Sequence, residues 1–385
     1  MKGISPPVLY YHSVAPNFFN GWPFKFLTHK LQDFEDQLVY LKKHHIQTVF
    51  LDRWLAIRRG EAQLQNKEVC LSFDDGFLDN WVYGFPLIKK YQMRFTLFVA
   101  PECIEPGEAV RPTLENVWKG DCQTDDLEAR GFLTWAEIKL MQESGLVDIQ
   151  SHTMSHDKYI AGSAIKSFYY GGPNGVYPIW NTYPGIKVNY MRDEQFTSRL
   201  PWGTPLFEEA SAVIVRKHQI NPSFLREART ITGQYDLTNI DVRPDCEAQI
   251  EKLHQNYVQK ELLIKHVESE QDYQKRLRYE VIESKRIIEG RLQKPVQFLC
   301  WPHGDNTPEA HRMAKENGYL ATTSGKLTDQ ANQLDRIPRF GAVWRHPRWL
   351  NQQKIHYKLA SHYHQQPFYA IWLANELKNQ MLNRN

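Results

Sequence analysis

Two short stretches carry residue types that could do chemistry together. The first is Val69-Cys70-Leu71-Ser72-Phe73-Asp74-Asp75-Gly76, an apolar run that stops at two adjacent carboxylates and a glycine. It reads as a buried strand that opens at its C-terminal end into a turn, with Gly76 supplying the permissive backbone. The second is Val147-Asp148-Ile149-Gln150-Ser151, another strand, which ends in His152-Thr153-Met154-Ser155-His156. Two histidines four apart share a face if that turn is helical, and both imidazoles then reach one cation. His152, His156 and one carboxylate of the Asp74-Asp75 pair make three protein ligands of N, N, O type. That leaves a position for water, the layout of a catalytic rather than a structural zinc site. Of two adjacent acids, one can hold the cation while the other works on what the cation binds. Each motif also has a plainer reading: a solvated Asp-Asp-Gly turn, and a spacing that many helices carry by chance.

The elements around these stretches are those of a parallel α/β fold, in which ligands bind at the C-terminal ends of the strands. Val8-Leu9-Tyr10-Tyr11-His12-Ser13-Val14 predicts a short strand with His12 near its end. Leu31, Phe34, Leu38 and Leu41 recur at helical spacing, which predicts helix over 31–59. Further helices are expected over 78–92 and 135–144, the latter stopped by Gly145, and a strong strand over 94–100.

Length and composition set outer bounds. The 385 residues, 42% of them hydrophobic, suffice for one large elaborated domain or two. A net charge of +3 gives no argument for a nucleic-acid partner. The balance is uneven: from Arg345 to Asn385 there are six Lys/Arg against Glu376 alone, so this tail is near +5 and the body near −2. The five cysteines, Cys70, Cys103, Cys122, Cys246 and Cys300, have neither zinc-ribbon nor redox spacing. Cys70 and Cys300 sit in apolar runs and read as packed thiols. No apolar leader is visible in Met1-Lys2-Gly3-Ile4-Ser5-Pro6-Pro7, and no 18-residue apolar window exists, so a cytoplasmic location is expected.

Phe73-Asp74-Asp75-Gly76 followed by Ser151-His152-Thr153-Met154-Ser155-His156 resembles the first two motifs of the polysaccharide deacetylase family, the NodB-homology carbohydrate esterases. The match extends through a helix near Glu283-Ser284-Lys285, the strand Gln297-Phe298-Leu299-Cys300 and the loop Trp301-Pro302-His303-Gly304-Asp305. Arg336-Ile337-Pro338-Arg339-Phe340 resembles the closing strand. The resemblance spans residues 6–156 and 271–343. It implies a distorted (β/α) barrel, with Asp75, His152 and His156 holding a metal, zinc by default and other divalent transition metals as alternatives. It further implies Asp74 as general base and an oxyanion-stabilising backbone N–H near His303. A zinc ion lowers the pKa of the water it holds to about 7, which suits attack on an acetamide carbonyl.

The sequence departs from the family in three places. The late Leu-x-His motif that supplies an acid in many members is not evident after Phe340. A subgroup resembling the biofilm poly-N-acetylglucosamine deacetylases has a Tyr-His pair on its first strand instead; Tyr11-His12 matches it, which makes His12 the expected acid. The usual Pro-Tyr-Gly is Pro302-His303-Gly304, so His303 is an alternative acid or a substrate-groove residue. No equivalent of the arginine that pairs with the base is recognisable.

The domain, residues 1–343, is interrupted by an insertion over 158–270, too long for an ordinary connection. Its first part is rich in Gly, Pro, Tyr and Trp, fitting either a glycan-binding lid or a loop that packs its own aromatics. Residues 246–289 are expected to form a solvated helix pair. The tail, 344–385, interleaves Trp344, Trp349, Tyr357, Phe368, Tyr369 and Trp372 with its basic residues. That suits peripheral contact with the inner face of an anionic membrane, or a helix docked on the barrel. The expected activity is metal-dependent N-deacetylation of an amino sugar in a surface polysaccharide or lipopolysaccharide-type glycolipid. The alternatives are an O-acetyl esterase on the same site and a non-catalytic glycan-binding protein.

Overall fold

The structure is a computed structural model that describes all residues except 1–4, 17–24, 66, 190–194, 343–346 and 383–385. Trp344 and Arg345 of the tail lie outside the described residues. Nine parallel strands make one sheet. From one edge to the other its order is Arg336–Ile337, Ala321–Thr323, Phe298–Leu299, Val147–Ser151, Phe95–Val99, Glu68–Phe73, Val8–Tyr11 and Phe340–Gly341. Gln47–Thr48 pairs with the start of Glu68–Phe73. The two edge strands are separated in sequence by Pro338 and Arg339 alone. Three peptide steps span at most about 11 Å, so the sheet must curl until its edges nearly meet. The architecture is a parallel sheet curled into an open, distorted (β/α) barrel.

The strands Glu68–Phe73 and Phe95–Val99 are buried at every position. Strands covered on both faces read as continuous apolar runs, which is why alternation is absent there. Tyr11, Phe34 and Phe73 form an aromatic cluster between the first strands and the helix Leu31–Lys43, with centroid separations of 5.0–5.5 Å. The buried Tyr11 hydroxyl must find an acceptor. It donates to Gln37 Oε1 at 2.5 Å, and Gln37 Nε2 donates to the Ala342 carbonyl. One side-chain relay thus ties the first strand, the first helix and the seam of the barrel.

Several local expectations are corrected. Residues 31–59 are two helices, Leu31–Lys43 and Leu51–Arg59, around the short strand Gln47–Thr48. Residues 336–340 are not one strand, because Pro338 cannot donate to a ladder and turns the chain out between the two edges. The region 246–289 is not a solvated helix pair. Arg243–Gln259 is a helix and Ile264–Val267 a strand, and the following helix buries Leu277, Val281 and Ile288 in the barrel core.

The insertion has structure of its own. A long hairpin pairs Lys158–Tyr169 with Thr204–Ser211, and His218–Ile220 pairs antiparallel with Ile264–Val267. Phe207, Ile220, Phe224, Cys246, Ile250 and Leu263 make a separate small core beneath them. The helix Val176–Thr182 shares a second cluster with Phe77, Cys103 and Phe132 of the barrel. The tail forms the helices Arg348–His362 and Phe368–Leu382, and Ile355 and Leu359 of the first join the barrel core. No helix among the described residues is long and apolar enough to cross a membrane.

Asp79 anchors the loop after the first strand. It is fully buried; Oδ2 accepts from Ser13 Oγ at 2.5 Å and Oδ1 from Asn80 Nδ2, which also donates to the His12 carbonyl. Burial pushes its carboxyl up to about 7 against those hydrogen bonds. A folded pKa above the unfolded value gives stability that is complete below the unfolded pKa, near 4, and lost as pH rises through about 7. Denaturant titrations at pH 5 and pH 8 should therefore show the wild type less stable at pH 8. Asp79→Asn should narrow that gap, and an unchanged gap would refute the assignment.

Candidate active site

The site lies at the C-terminal ends of the strands. Registry places its residues side by side: Tyr11 pairs with Phe73, so His12 stands beside Asp74, whose N–H donates to the Tyr11 carbonyl. Val99 pairs with Ser151, and the His152 N–H donates to the Val99 carbonyl. Gly76 makes the turn after the two aspartates at a φ of +74°, where a Cβ would meet Val99 Cγ1 at 3.3 Å.

The two adjacent carboxylates are separated into different environments. Asp74 is held by a bidentate fork from Arg339, Nη1 to Oδ1 at 2.7 Å and Nη2 to Oδ2 at 2.9 Å. His12 Nε2 stands 3.8 Å from the same Oδ2. Burial pushes the Asp74 carboxyl up, but the Arg339 charge, with His152 and the fork itself, outweighs it and holds the group below the usual carboxylate range. Arg339 is the partner that the sequence did not reveal. It leaves the strand Arg336–Ile337 behind Pro338 and reaches across the barrel seam.

Asp75 faces the histidines. Its Oδ1 lies 3.1 Å from both His152 Nε2 and His156 Nε2, yet it is buried and makes no well-formed hydrogen bond. Three lone-pair atoms converging without hydrogen-bond geometry are what ligands of one ion look like, since bonds of about 2.0–2.2 Å place ligand atoms about 3 Å apart. His152 Nδ1 is 2.9 Å from the Cys300 carbonyl, which fixes the tautomer that turns Nε2 inward. Asp75, His152 and His156 therefore fit a divalent cation. Asp74, His152 and Cys300 also lie close together. That group does not fit, because the Arg339 guanidinium occupies both Asp74 oxygens and stands 2.9 Å from Cys300 Sγ.

The His152–His156 turn is not helical, so the two histidines converge by another route than a shared helical face. Thr153 and His156 have φ of +62° and +56°. A β-branched residue in the left-handed region is strained by about 1–3 kcal/mol. Glu280, 1% exposed, holds the turn in that state: its carboxylate accepts from the Met154 and Ser155 N–H groups and from Ser155 Oγ. It is presented by a π-helical turn, Tyr279–Glu283.

His303 lies on the other side of His156, with ring centroids 4.5 Å apart and edge-on packing, and Tyr177 of the insertion packs on it in turn at 5.5 Å. Burial, then the His156 and Lys158 charges, push His303 well below the ordinary histidine range, so it is neutral. Burial also lowers His12, against the pull of Asp75 and Asp74. All six residues singled out from the sequence thus line one cavity of about 900 Å³. The inserted aromatics divide: Tyr177 and Trp180 line this cavity, whereas Tyr170 and Trp202 pack around Arg243.

Residues 61–192 match the sequence model of the polysaccharide deacetylases. That stretch, about a third of the chain, is similar to a polysaccharide deacetylase domain. The poly-beta-1,6-N-acetyl-D-glucosamine N-deacetylase of Escherichia coli (strain K12) is 20% identical over 317 residues, 82% of this chain and 34% of that protein. The enzyme of the same name from Staphylococcus epidermidis is 23% identical over 209 residues, 53% of this chain and 63% of that protein. The chain therefore spans about a third of the Escherichia coli relative. A solved de-N-acetylase from Aggregatibacter actinomycetemcomitans gives a TM-score of 0.47 at 18% identity, covering 82% of this chain and 86% of that one.

Two outcomes follow for this site. Glu280→Gln exchanges an acceptor for a donor beneath the ligand turn, and should weaken zinc binding about 10–100-fold in a chelator competition titration. Arg339→Met should raise the Asp74 pKa, because the charge that lowers it is gone. A base works only when ionised, so the acidic limb of the pH–rate profile should move to higher pH while metal content stays the same. An unmoved limb would mean that Asp74 is not the titrating base.

Proposed function

We propose that this protein is a metal-dependent hydrolase that removes N-acetyl groups from an amino sugar of a surface glycan. The observation that carries the reading is the split between adjacent carboxylates: Asp74 on the Arg339 fork with His12 at 3.8 Å, Asp75 against two imidazole nitrogens. A cation held by Asp75, His152 and His156, zinc by the softness of that set, would acidify water and polarise a carbonyl oxygen when bound.

The chain's own residues supply the rest. Asp74, kept ionised and oriented by Arg339, accepts the proton of the attacking water. An amide nitrogen is too poor a leaving group to depart as an anion, so a proton must reach it. His12 lies beside Asp74 and is 18% exposed at its side chain, so it can face a substrate. Burial disfavours its protonated form, and the Asp75 and Asp74 charges favour it; in that form His12 would deliver the proton. His303 is the weaker candidate for the acid, being buried against His156 and Tyr177; its role is to brace His156. A backbone N–H of the 302–304 loop completes oxyanion stabilisation.

The named relatives act on poly-beta-1,6-N-acetyl-D-glucosamine. Acetate release from β-1,6-linked N-acetylglucosamine oligomers, with an acetylated glycolipid as second substrate, is therefore the first assay. Zinc-loaded protein that releases none from any amino-sugar glycan would overturn the reading. Asp74→Asn should keep metal and lose activity, whereas Asp75→Ala should lose both. His12→Ala should cost about 10²–10⁴ in rate on an amide and much less on an acetate ester, whose leaving group needs less help from an acid. Equal losses on both would remove His12 as the acid.

A further inference from the structure

The hairpin of the insertion gives the catalytic cavity a wall that the barrel does not supply. Two of its lysines, Lys158 and Lys166, line the cavity, and neither has a carboxylate within ion-pair distance among the described residues. Lys158 follows His156 by two residues, and its ammonium lies 5.2 Å over the Tyr177 ring, so it is supported but not neutralised. Lys166 falls at a break in the hairpin register between Ile165 and Ser167, the kind of irregularity that re-aims a side chain. Lys326 reaches the same rim from the barrel side. The loop that carries it sits against the 302–304 loop because Gly325 has no Cβ; one there would stand 2.2 Å from the Gly304 carbonyl oxygen. Lys326 is already paired with Asp305 at 2.6 Å.

The acids on the cavity wall do not cancel this charge. Asp74 is matched by Arg339, and Asp75 belongs to the cation set. Glu209, on the opposite strand of the hairpin, feels the Lys158 charge but makes no ion pair among the described residues, and burial pushes its carboxyl up to about 7 against that charge, so it is partly neutral near physiological pH. With a dication bound, the cavity is net positive. A neutral acetylated glycan gains nothing from such a wall, and free amines left by earlier cleavage are repelled by it.

We propose that this cavity selects an acidic glycan: Lys158 and Lys166 bind a carboxylate or phosphate on the sugar next to the one that is deacetylated. The inference rests on the deacetylase reading above and adds the substrate class. Lysine is a suitable point charge for either anion, and Tyr177 and Phe207 supply apolar faces for the sugar rings between them.

The test compares three oligosaccharides that share an N-acetylglucosamine unit, its neighbour being neutral, a uronic acid or a phosphate ester. The zinc-loaded wild type should favour the acidic compounds by about tenfold or more in kcat/KM. That preference should shrink with added salt. Lys158→Met with Lys166→Met should abolish it, Lys158→Arg should retain it, and Lys139→Met, an exposed lysine on the helix Trp135–Glu143, serves as charge control. The uronate and phosphate arms identify the anion. Equal kcat/KM on acidic and neutral compounds, or a preference that survives the double substitution, would overturn the proposal and leave the deacetylase reading intact. If no compound releases acetate, the deacetylase reading fails. The subsite is then judged by equilibrium binding of the same compounds to zinc-loaded Asp74→Asn, where equal affinities overturn it and an acidic preference that needs the two lysines supports it.

Discussion

The fork between Arg339 and Asp74 is the contact on which the site depends. Two carboxylates adjacent in sequence and buried together would share protons rather than both ionise. Arg339 settles the competition by holding Asp74 from one side, which leaves Asp75 to face the histidines. A buried charge pair of this kind is expensive to desolvate and adds little to stability unless every donor and acceptor is used. Here Arg339 also reaches Ser72 Oγ and stacks over Tyr10. Its significance is positional: it spans the seam where the curled sheet nearly closes, so the barrel's closure and the orientation of Asp74 are one event.

A second constraint acts on the two histidines. Both His152 and His156 must turn toward Asp75 from a single short loop, which forces Thr153 and His156 into left-handed backbone. Such a loop holds its shape only if its surroundings over-determine it. Glu280 does so from below through three hydrogen bonds. Lys187 of the insertion does so from the side, donating to the Ser155 carbonyl and pairing with Asp157 and Glu102. The insertion therefore does more than cover the cavity: it braces the loop that presents the ligands.

The barrel and the insertion contribute different kinds of residue to the same cavity. The barrel brings groups suited to proton transfer and cation binding, all at strand ends. The insertion brings aromatic rings and lysines that have no ion-pair partner among the described residues, on a hairpin with its own small core. Chemistry held on a rigid scaffold and recognition carried on an inserted element can vary independently, and this separation is the usual reason that one fold serves many substrates.

The sequence alone marked the central strands, Val8–Tyr11, Glu68–Phe73, Phe95–Val99 and Val147–Ser151, though not the short Gln47–Thr48, and it marked Asp74, Asp75, His152 and His156, because they stand at or just beyond strand ends. The same rule put His12 and His303 at strand ends. What it left open depends on contacts between residues far apart in the chain. Arg339 was hidden in a stretch that reads as one strand; only the curl of the sheet turns its two halves into opposite edges and aims the arginine between them. Glu280 reads as one more charge on a solvated helix until that helix is packed under the ligand turn. The His-x-x-x-His spacing puts both imidazoles on one face only if the turn is helical; the turn instead holds Thr153 and His156 in left-handed backbone, because its geometry is set by convergence on Asp75 rather than by local propensity. Which inserted aromatics face the cavity, and that two lysines stand there without an ion pair among the described residues, follow from the hairpin's register and its bulge, and these are decided by packing against the barrel.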